Sequence, residues 1–254
     1  MLSQVSPILP LSAKIVAQLQ KADDFYVCRQ FGEDMVGPPM ASIDGKMYFR
    51  FMNFIYLPQP PESLTAERVK KICDVRLEFF DQLVNYQLNS SVVDVITGCV
   101  AAKHANPPSS LKALDFGCGS GLSSQLLLDR IPNLDLTGVD ISEKAIARFQ
   151  QEQKNKNIKA ALTRVGERLP FETGAFDLVF AIFVMHFNID MLTLGELRRV
   201  LRPPGLFVFN VYQRDTDGLA AQLEEAGFCS IDVWERLTHI GNNHVVMSCR
   251  SPAR

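Results

Sequence analysis

The chain has 254 residues, 47% of them apolar and 21% charged, which is enough apolar content for a sizeable core in one large domain, or one domain with an appendage. Its formal net charge of −2 shows no basic excess, so nucleic acid is not an expected partner. Six cysteines without a CxxC pair and four scattered histidines exclude zinc, and no metal is expected. Apolar runs such as Leu178 to Met185 fall far short of the roughly 20 residues of a membrane span. Met1 to Pro10 lacks the basic region and long apolar run of a secretory signal. The expectation is a cytoplasmic protein with reduced thiols, Cys73, Cys99, Cys229 and Cys249 serving as small hydrophobes.

Two textures follow in chain order. Residues 1–108 read as mostly helical, a cap or substrate-covering region, and residues 109–254 as a second domain. Ser12 is placed to cap a short helix carrying Ile15, Val16 and Leu19. Residues 35–61 interleave Pro38, Pro39, Pro58, Pro60 and Pro61 with Tyr48, Phe49, Phe51, Phe54 and Tyr56, and read as irregular or partly extended. Thr65 caps a helix predicted to run to Gln87, and a further helix begins at Ser91. The polar stretch Asn106-Pro107-Pro108-Ser109-Ser110 suits a connection. Beyond it, strands alternate with helices, the pattern of βαβ units and a parallel sheet. Strands are predicted at 112–116, 134–140, 159–165, 176–183 and 206–211, with two more apolar stretches at 229–234 and 244–249. Helices are predicted at 121–130, 142–154, 191–201 and 218–226.

The first motif that bears chemistry is Asp115-Phe116-Gly117-Cys118-Gly119-Ser120-Gly121, between the first strand and its helix. Glycines there let the backbone turn sharply and approach a ligand, and the helix N-terminus presents N–H groups to ligand oxygens. Asp115 offers a carboxylate to a ligand ammonium. The second is Val139-Asp140-Ile141-Ser142, with Asp140 at the end of the second strand, 23 residues after Gly117. An acid at that point accepts ribose hydroxyls in nucleotide-binding α/β folds. A dinucleotide fingerprint requires a glycine where this chain has Leu122, which argues for a ligand without a pyrophosphate.

These residues resemble the class I S-adenosylmethionine-dependent methyltransferases, most of all the small-molecule branch with its ubiquinone-type and phospholipid-type enzymes. Leu169-Pro170-Phe171, Phe176-Asp177-Leu178-Val179, Phe183-Val184-Met185-His186 and Glu196 to Gly205 resemble the later motifs in order, over roughly residues 110–250. The resemblance implies an α/β, Rossmann-like sheet of order 3-2-1-4-5-7-6, strand 7 antiparallel, with helices on both faces and a mainly helical N-terminal cap. It implies S-adenosylmethionine as cofactor and S-adenosylhomocysteine as product. Gly117, Cys118 and Gly119 would lie along the methionine part, Asp140 at the ribose, Ile141 on the adenine, Gly166 and Glu167 at the adenine edge, and Phe183 beside the sulfonium. Val165 stands where the family often has an acid paired with the adenine amino group, so Glu167 or a backbone carbonyl takes that bond.

Methyl transfer from a sulfonium needs alignment more than activation. His186 is the candidate general base, since it follows strand four near the expected methyl; its alternative role is to cap or bond loop backbone. Tyr48, Arg50 and Tyr56 read either as cover for the site or as ordinary core packing, and His239 and His244 as surface or sheet-edge residues. The expected reaction is methylation of a small, hydrophobic or aromatic molecule by a monomer or homodimer. Two further readings are a non-methylating cyclisation or rearrangement, and a non-catalytic cofactor-binding partner subunit.

Overall fold

The computed structural model describes residues 10–28, 37–51, 55–78, 86–104, 110–131, 133–152, 158–212, 215–237 and 244–253. The connection at 106–109, the predicted helix over 79–85 and His239 lie outside the described residues. The chain divides into two units, Met1–Val84 and Asn85–Arg254.

In the first unit, helix α1 (Ala13–Val16) is capped by Ser12, whose Oγ accepts from the Ile15 N–H at 3.3 Å. Five strands follow: β1 (Leu19–Ala22), β2 (Phe25–Cys28), β3 (Met40–Ile43), β4 (Lys46–Phe51) and β5 (Ile55–Leu57). They form an antiparallel sheet of order β1-β2-β5-β4-β3, followed by helix α2 (Ala66–Glu78), which Thr65 caps. A mainly helical N-terminal region is therefore corrected: its centre is a sheet. Asp44 and Gly45, at φ 51° and 73°, close a two-residue hairpin that pairs Ile43 with Lys46. Such hairpin turns require positive φ, and Asp-Gly is their strongest short signal. Asp23 does the same between β1 and β2 at φ 61°. Tyr26, Tyr48, Ile55, Tyr56 and Leu57 fill this unit's own core, so Tyr48 and Tyr56 are packing residues there.

The second unit starts with helix α3 (Tyr86–Lys103), then β6 (Leu111–Phe116), α4 (Leu122–Arg130), β7 (Leu134–Asp140), α5 (Glu143–Glu152), β8 (Lys159–Leu162) and β9 (Phe176–Ala181). It ends with α6 (Met191–Val200), β10 (Leu201–Tyr212), α7 (Thr216–Glu225), β11 (Cys229–Leu237) and β12 (His244–Arg250). The seven strands lie in the order β11-β12-β10-β9-β6-β7-β8, which is 3-2-1-4-5-7-6 when counted within the unit from the β8 edge. β6 to β10 pair parallel, and β12 runs antiparallel to both neighbours.

Alternation along the strands sends Val179, Ala181, Phe207, Phe209 and Val211 to one face, where Leu194, Leu197 and Val200 of α6 and Leu219 and Leu223 of α7 cover them. Leu178, Phe180, Leu206 and Val208 face the other side, under Val92, Val93, Ile96 and Cys99 of α3 and Leu127 of α4. Each such fully buried side chain contributes about 1.5–3 kcal/mol of transfer free energy. Because α3 covers the sheet, it belongs with the second unit rather than with the first region, where the sequence reading put it. Predicted strand four is also shorter than expected, ending at Ala181, because Phe183 takes φ 60°, which no strand accommodates. The strand order reverses between β6 and β9, and the loops after β6, β7 and β9 leave the same edge of the sheet. In open α/β sheets that edge is where ligands bind. Among the described residues no helix is long and apolar enough to cross a membrane, no metal-binding cluster occurs, and all six cysteines are free thiols.

Candidate active site

Asp115, near the end of β6, is 1% exposed and accepts a hydrogen bond from the Ser124 hydroxyl at 2.5 Å. The chain then turns through Gly117, Gly119 and Gly121, at φ 74°, 56° and 93°. The Gly117 and Cys118 N–H groups both donate to the Val139 carbonyl, at 2.8 and 3.0 Å, which pins the loop to β7. A Cβ at Gly117 would lie 2.3 Å from Val184 Cγ2, whereas one at Gly119 would meet nothing within 4 Å. Gly117 thus serves close packing, and Gly119 leaves open space over the loop. Helix α4 starts at Gly121 without a side-chain cap, so its first-turn N–H groups are available to a ligand. Cys118 lies on the loop by its backbone alone. Its side chain packs with Ile146 and Phe149, and burial pushes its thiol pKa well up.

Burial also pushes the Asp115 carboxyl up to about 6, the nearby Asp140 charge acting in the same direction and the Ser124 bond opposing both. The folded-state value thus exceeds the ordinary 3.8. The ionised group therefore opposes folding above about pH 6, and the penalty fades as the pH falls through the window between the two values. Asp115→Asn is expected to stabilise the chain at pH 7 by up to about 3 kcal/mol and to do nothing at pH 3.5. Urea denaturation at the two pH values reads this, and a destabilised variant at pH 7 would contradict it. A ligand cation beside the buried carboxylate offsets the same penalty.

Asp140, at the end of β7, joins three segments. Its Oδ2 accepts the Gly119 N–H at 2.9 Å, its Oδ1 accepts the Ser142 N–H at 2.8 Å, and its carbonyl accepts the Thr163 N–H at 2.9 Å. A carboxylate oxygen has two lone pairs and can accept more than one hydrogen bond. Ser142 caps α5, its Oγ accepting from the Ala145 N–H, and Ile141 is half-buried beside it. Gly166 and Glu167 lie on an exposed turn after β8, where Glu167 pairs with Arg164 at 3.5 Å. That turn reaches Asp140 through Thr163. The structure therefore bonds Gly119 directly to Asp140, ties Gly117 and Cys118 to the adjoining Val139 and Asp115 to Ser124, and leaves Gly166 and Glu167 on an exposed turn.

The loop after β9 lies against the glycine loop through Val184. The Phe183 N–H donates to Asn210 Oδ1 at 2.7 Å. Asn210, fully buried on β10, contacts His244 Nδ1 through its Nδ2 at 3.1 Å. The His244 ring meets Phe183 edge-on at 5.5 Å and stacks on Tyr212 at 4.9 Å. His244 is 5% exposed and sits on an inner strand, not on the surface or a sheet edge, and burial lowers its pKa to about 4. His186 is half-buried with its ring 4.3 Å from that of Phe187. Asn210, His244 and Ser124 are the site residues that sequence reasoning missed. The available signal was a single Asn in the otherwise apolar run Leu206 to Tyr212.

Residues 114–209 match the family model described as a methyltransferase domain. The second unit thus carries a methyltransferase domain. The chain is similar to the malonyl-acyl-carrier-protein O-methyltransferase of Legionella pneumophila, 32% identical over 41% of this chain and 37% of that one. It is also similar to the mitochondrial arginine-hydroxylase of Danio rerio, 32% identical over 51% of this chain and 42% of that one. The chain thus spans less than half the length of either relative. In fold it resembles the CurJ carbon methyltransferase, with a TM-score of 0.56 at 16% identity, covering 64% of this chain and 54% of that one. In this methyltransferase domain the glycine loop fits the cofactor: the Gly119 cradle is open and the Asp140 carboxylate stands beside it.

Proposed function

We propose that the chain transfers a methyl group from S-adenosylmethionine to a small molecule. The observation that carries this reading is the open Gly119 loop bonded to the Asp140 carboxylate at the ligand-binding edge of the sheet. When bound, S-adenosylmethionine supplies a methyl group on a sulfonium, an electrophile that needs no further activation. Asp140 accepts the ribose hydroxyls, Asp115 and the uncapped start of α4 face the charged methionine end, and Ile141 packs on the adenine. Phe183 flanks the methyl. The chain's own contribution is alignment and exclusion of water. His186 acts as a base only for an acceptor that arrives protonated.

The aromatics that suggested a hydrophobic acceptor belong to the first unit's core, which weakens that suggestion. The relative from Legionella pneumophila makes a malonyl thioester the first acceptor to test. We take the working form to be a monomer or homodimer without nucleic acid. Purified protein is incubated with S-adenosylmethionine and malonyl-coenzyme A and analysed by mass spectrometry. A methyl ester with equimolar S-adenosylhomocysteine is the expected result. Similarity to a hydroxylase favours a second reading, a non-methylating reaction on the same fold. Cofactor that binds and is never consumed, across carboxylate, phenol and amine acceptors, would establish it instead.

A further inference from the structure

Residues 183, 210 and 244 come from three segments of the second unit, and their bonds decide where the imidazole proton lies. A backbone N–H only donates, so the Asn210 atom that faces the Phe183 N–H at 2.7 Å is the oxygen. The amide orientation is thereby settled by the network. The Asn210 NH₂ then faces His244 Nδ1 at 3.1 Å, and an NH₂ also only donates. Nδ1 therefore carries the lone pair, and the single proton of a neutral imidazole lies on Nε2. An imidazolium would set an N–H against the NH₂. Among the described residues, the ring's neighbours Phe183, Tyr212 and Asn210 carry no carboxylate, and burial lowers its pKa to about 4. The ring is neutral at pH 7. Its bond to Asn210 is its one hydrogen bond among the described residues.

A buried histidine with its proton fixed this way is a donor, not a base. It touches Phe183, and Phe183 adjoins Val184, which packs on Gly117. We propose that Asn210 and His244 form an acceptor-binding site in which the His244 Nε2–H holds an oxygen of the methyl acceptor, and that the acceptor is an oxygen acid that arrives already ionised, of the carboxylate class. This rests on reading the second unit as a methyltransferase. One carboxylate oxygen takes the Nε2–H bond and the other attacks. The oxygen–carbon bond forms as the carbon–sulfur bond breaks, the electron pair goes to sulfur, and no proton changes hands. No protein base is required.

The test uses the full chain labelled with ¹⁵N-histidine at pH 7, with S-adenosylhomocysteine and malonyl-coenzyme A as probes. Wild type is expected to show the Nε2–H tautomer at His244, with that signal displaced at saturating malonyl-coenzyme A. Asn210→Asp, whose carboxylate accepts from Nδ1–H, is expected to invert the tautomer. His244→Phe should weaken malonyl-coenzyme A binding about tenfold with S-adenosylhomocysteine affinity unchanged. His244→Gln, which restores a donor near the Nε2 position, should recover most of that loss, which a lost general base or a merely structural ring would not. An Nδ1–H tautomer or an imidazolium in wild type, an undisplaced signal, or Gln behaving like Phe overturns the proposal. Failure of wild type to bind S-adenosylhomocysteine instead overturns the methyltransferase reading, and the tautomer is measured either way.

Discussion

Asp140→Ala is expected to weaken S-adenosylhomocysteine binding about a hundredfold while leaving the chain folded. Two charge-assisted hydrogen bonds to ribose hydroxyls contribute about 1.5–3 kcal/mol each, and even a total near 3 kcal/mol corresponds to that factor. The structure adds a second cause. The same carboxylate accepts the Gly119 and Ser142 N–H groups, so its removal also frees the glycine loop that must be in place for the cofactor. Gly119 is half-buried and Ser142 fully buried, so leaving their N–H groups unpaired should cost about 1–3 kcal/mol of stability. Asp140→Asn separates the two effects. It keeps one acceptor oxygen, so it holds one of the two N–H groups and one hydroxyl, and an intermediate loss of about tenfold is expected. Calorimetric titration alongside thermal unfolding reads both. A folded Asp140→Ala variant with affinity within twofold of wild type would sink the ribose assignment.

The glycine loop and Asp140 were legible in the sequence because both sit within a few residues of a strand end, where turn chemistry and strand periodicity speak locally. Strand order followed from a family resemblance rather than from periodicity, since parallel pairing joins residues distant in sequence. The first unit's sheet was missed because its flanking prolines outweighed the Asp44-Gly45 hairpin signal between two short alternating runs. Helix α3 was seen as a helix but not assigned to the second unit, because its partners, Phe180 and Val208 among them, lie far along the chain. The Asn210–His244 contact spans 34 residues and two strands, and only the fold brings it to Phe183. Cys118 was counted among ligand contacts from its place in the motif. The structure turns its side chain into the core, against Gly138, whose own Cβ would lie 2.7 Å from the sulfur.

Gly117→Ala is expected to destabilise the second unit by about 3 kcal/mol and to lower S-adenosylhomocysteine affinity at least about tenfold. Two separable penalties underlie the figure. At φ 74°, an L side chain crowds its own backbone, which costs about 1–2 kcal/mol wherever it occurs. The new Cβ would also lie 2.3 Å from Val184 Cγ2, so Val184 must move. Val184 cannot retreat freely, because the preceding Phe183 N–H is held by the buried Asn210 and the Val184 carbonyl accepts the Phe187 N–H at 2.9 Å. The displacement therefore passes into the segment that carries Phe183, which explains why affinity falls together with stability. Val184→Ala alone removes two methyl groups from a half-buried side chain and should cost about 1 kcal/mol. Combined with Gly117→Ala it removes the atom that collides. The double variant should then be more stable than Gly117→Ala alone, with only the backbone strain and the lost methyl groups left, and should regain part of the affinity. Urea denaturation and calorimetry on the four proteins measure the coupling. If the two substitutions simply add, the contact between the two loops is not what requires glycine at 117, and the positive φ alone accounts for it.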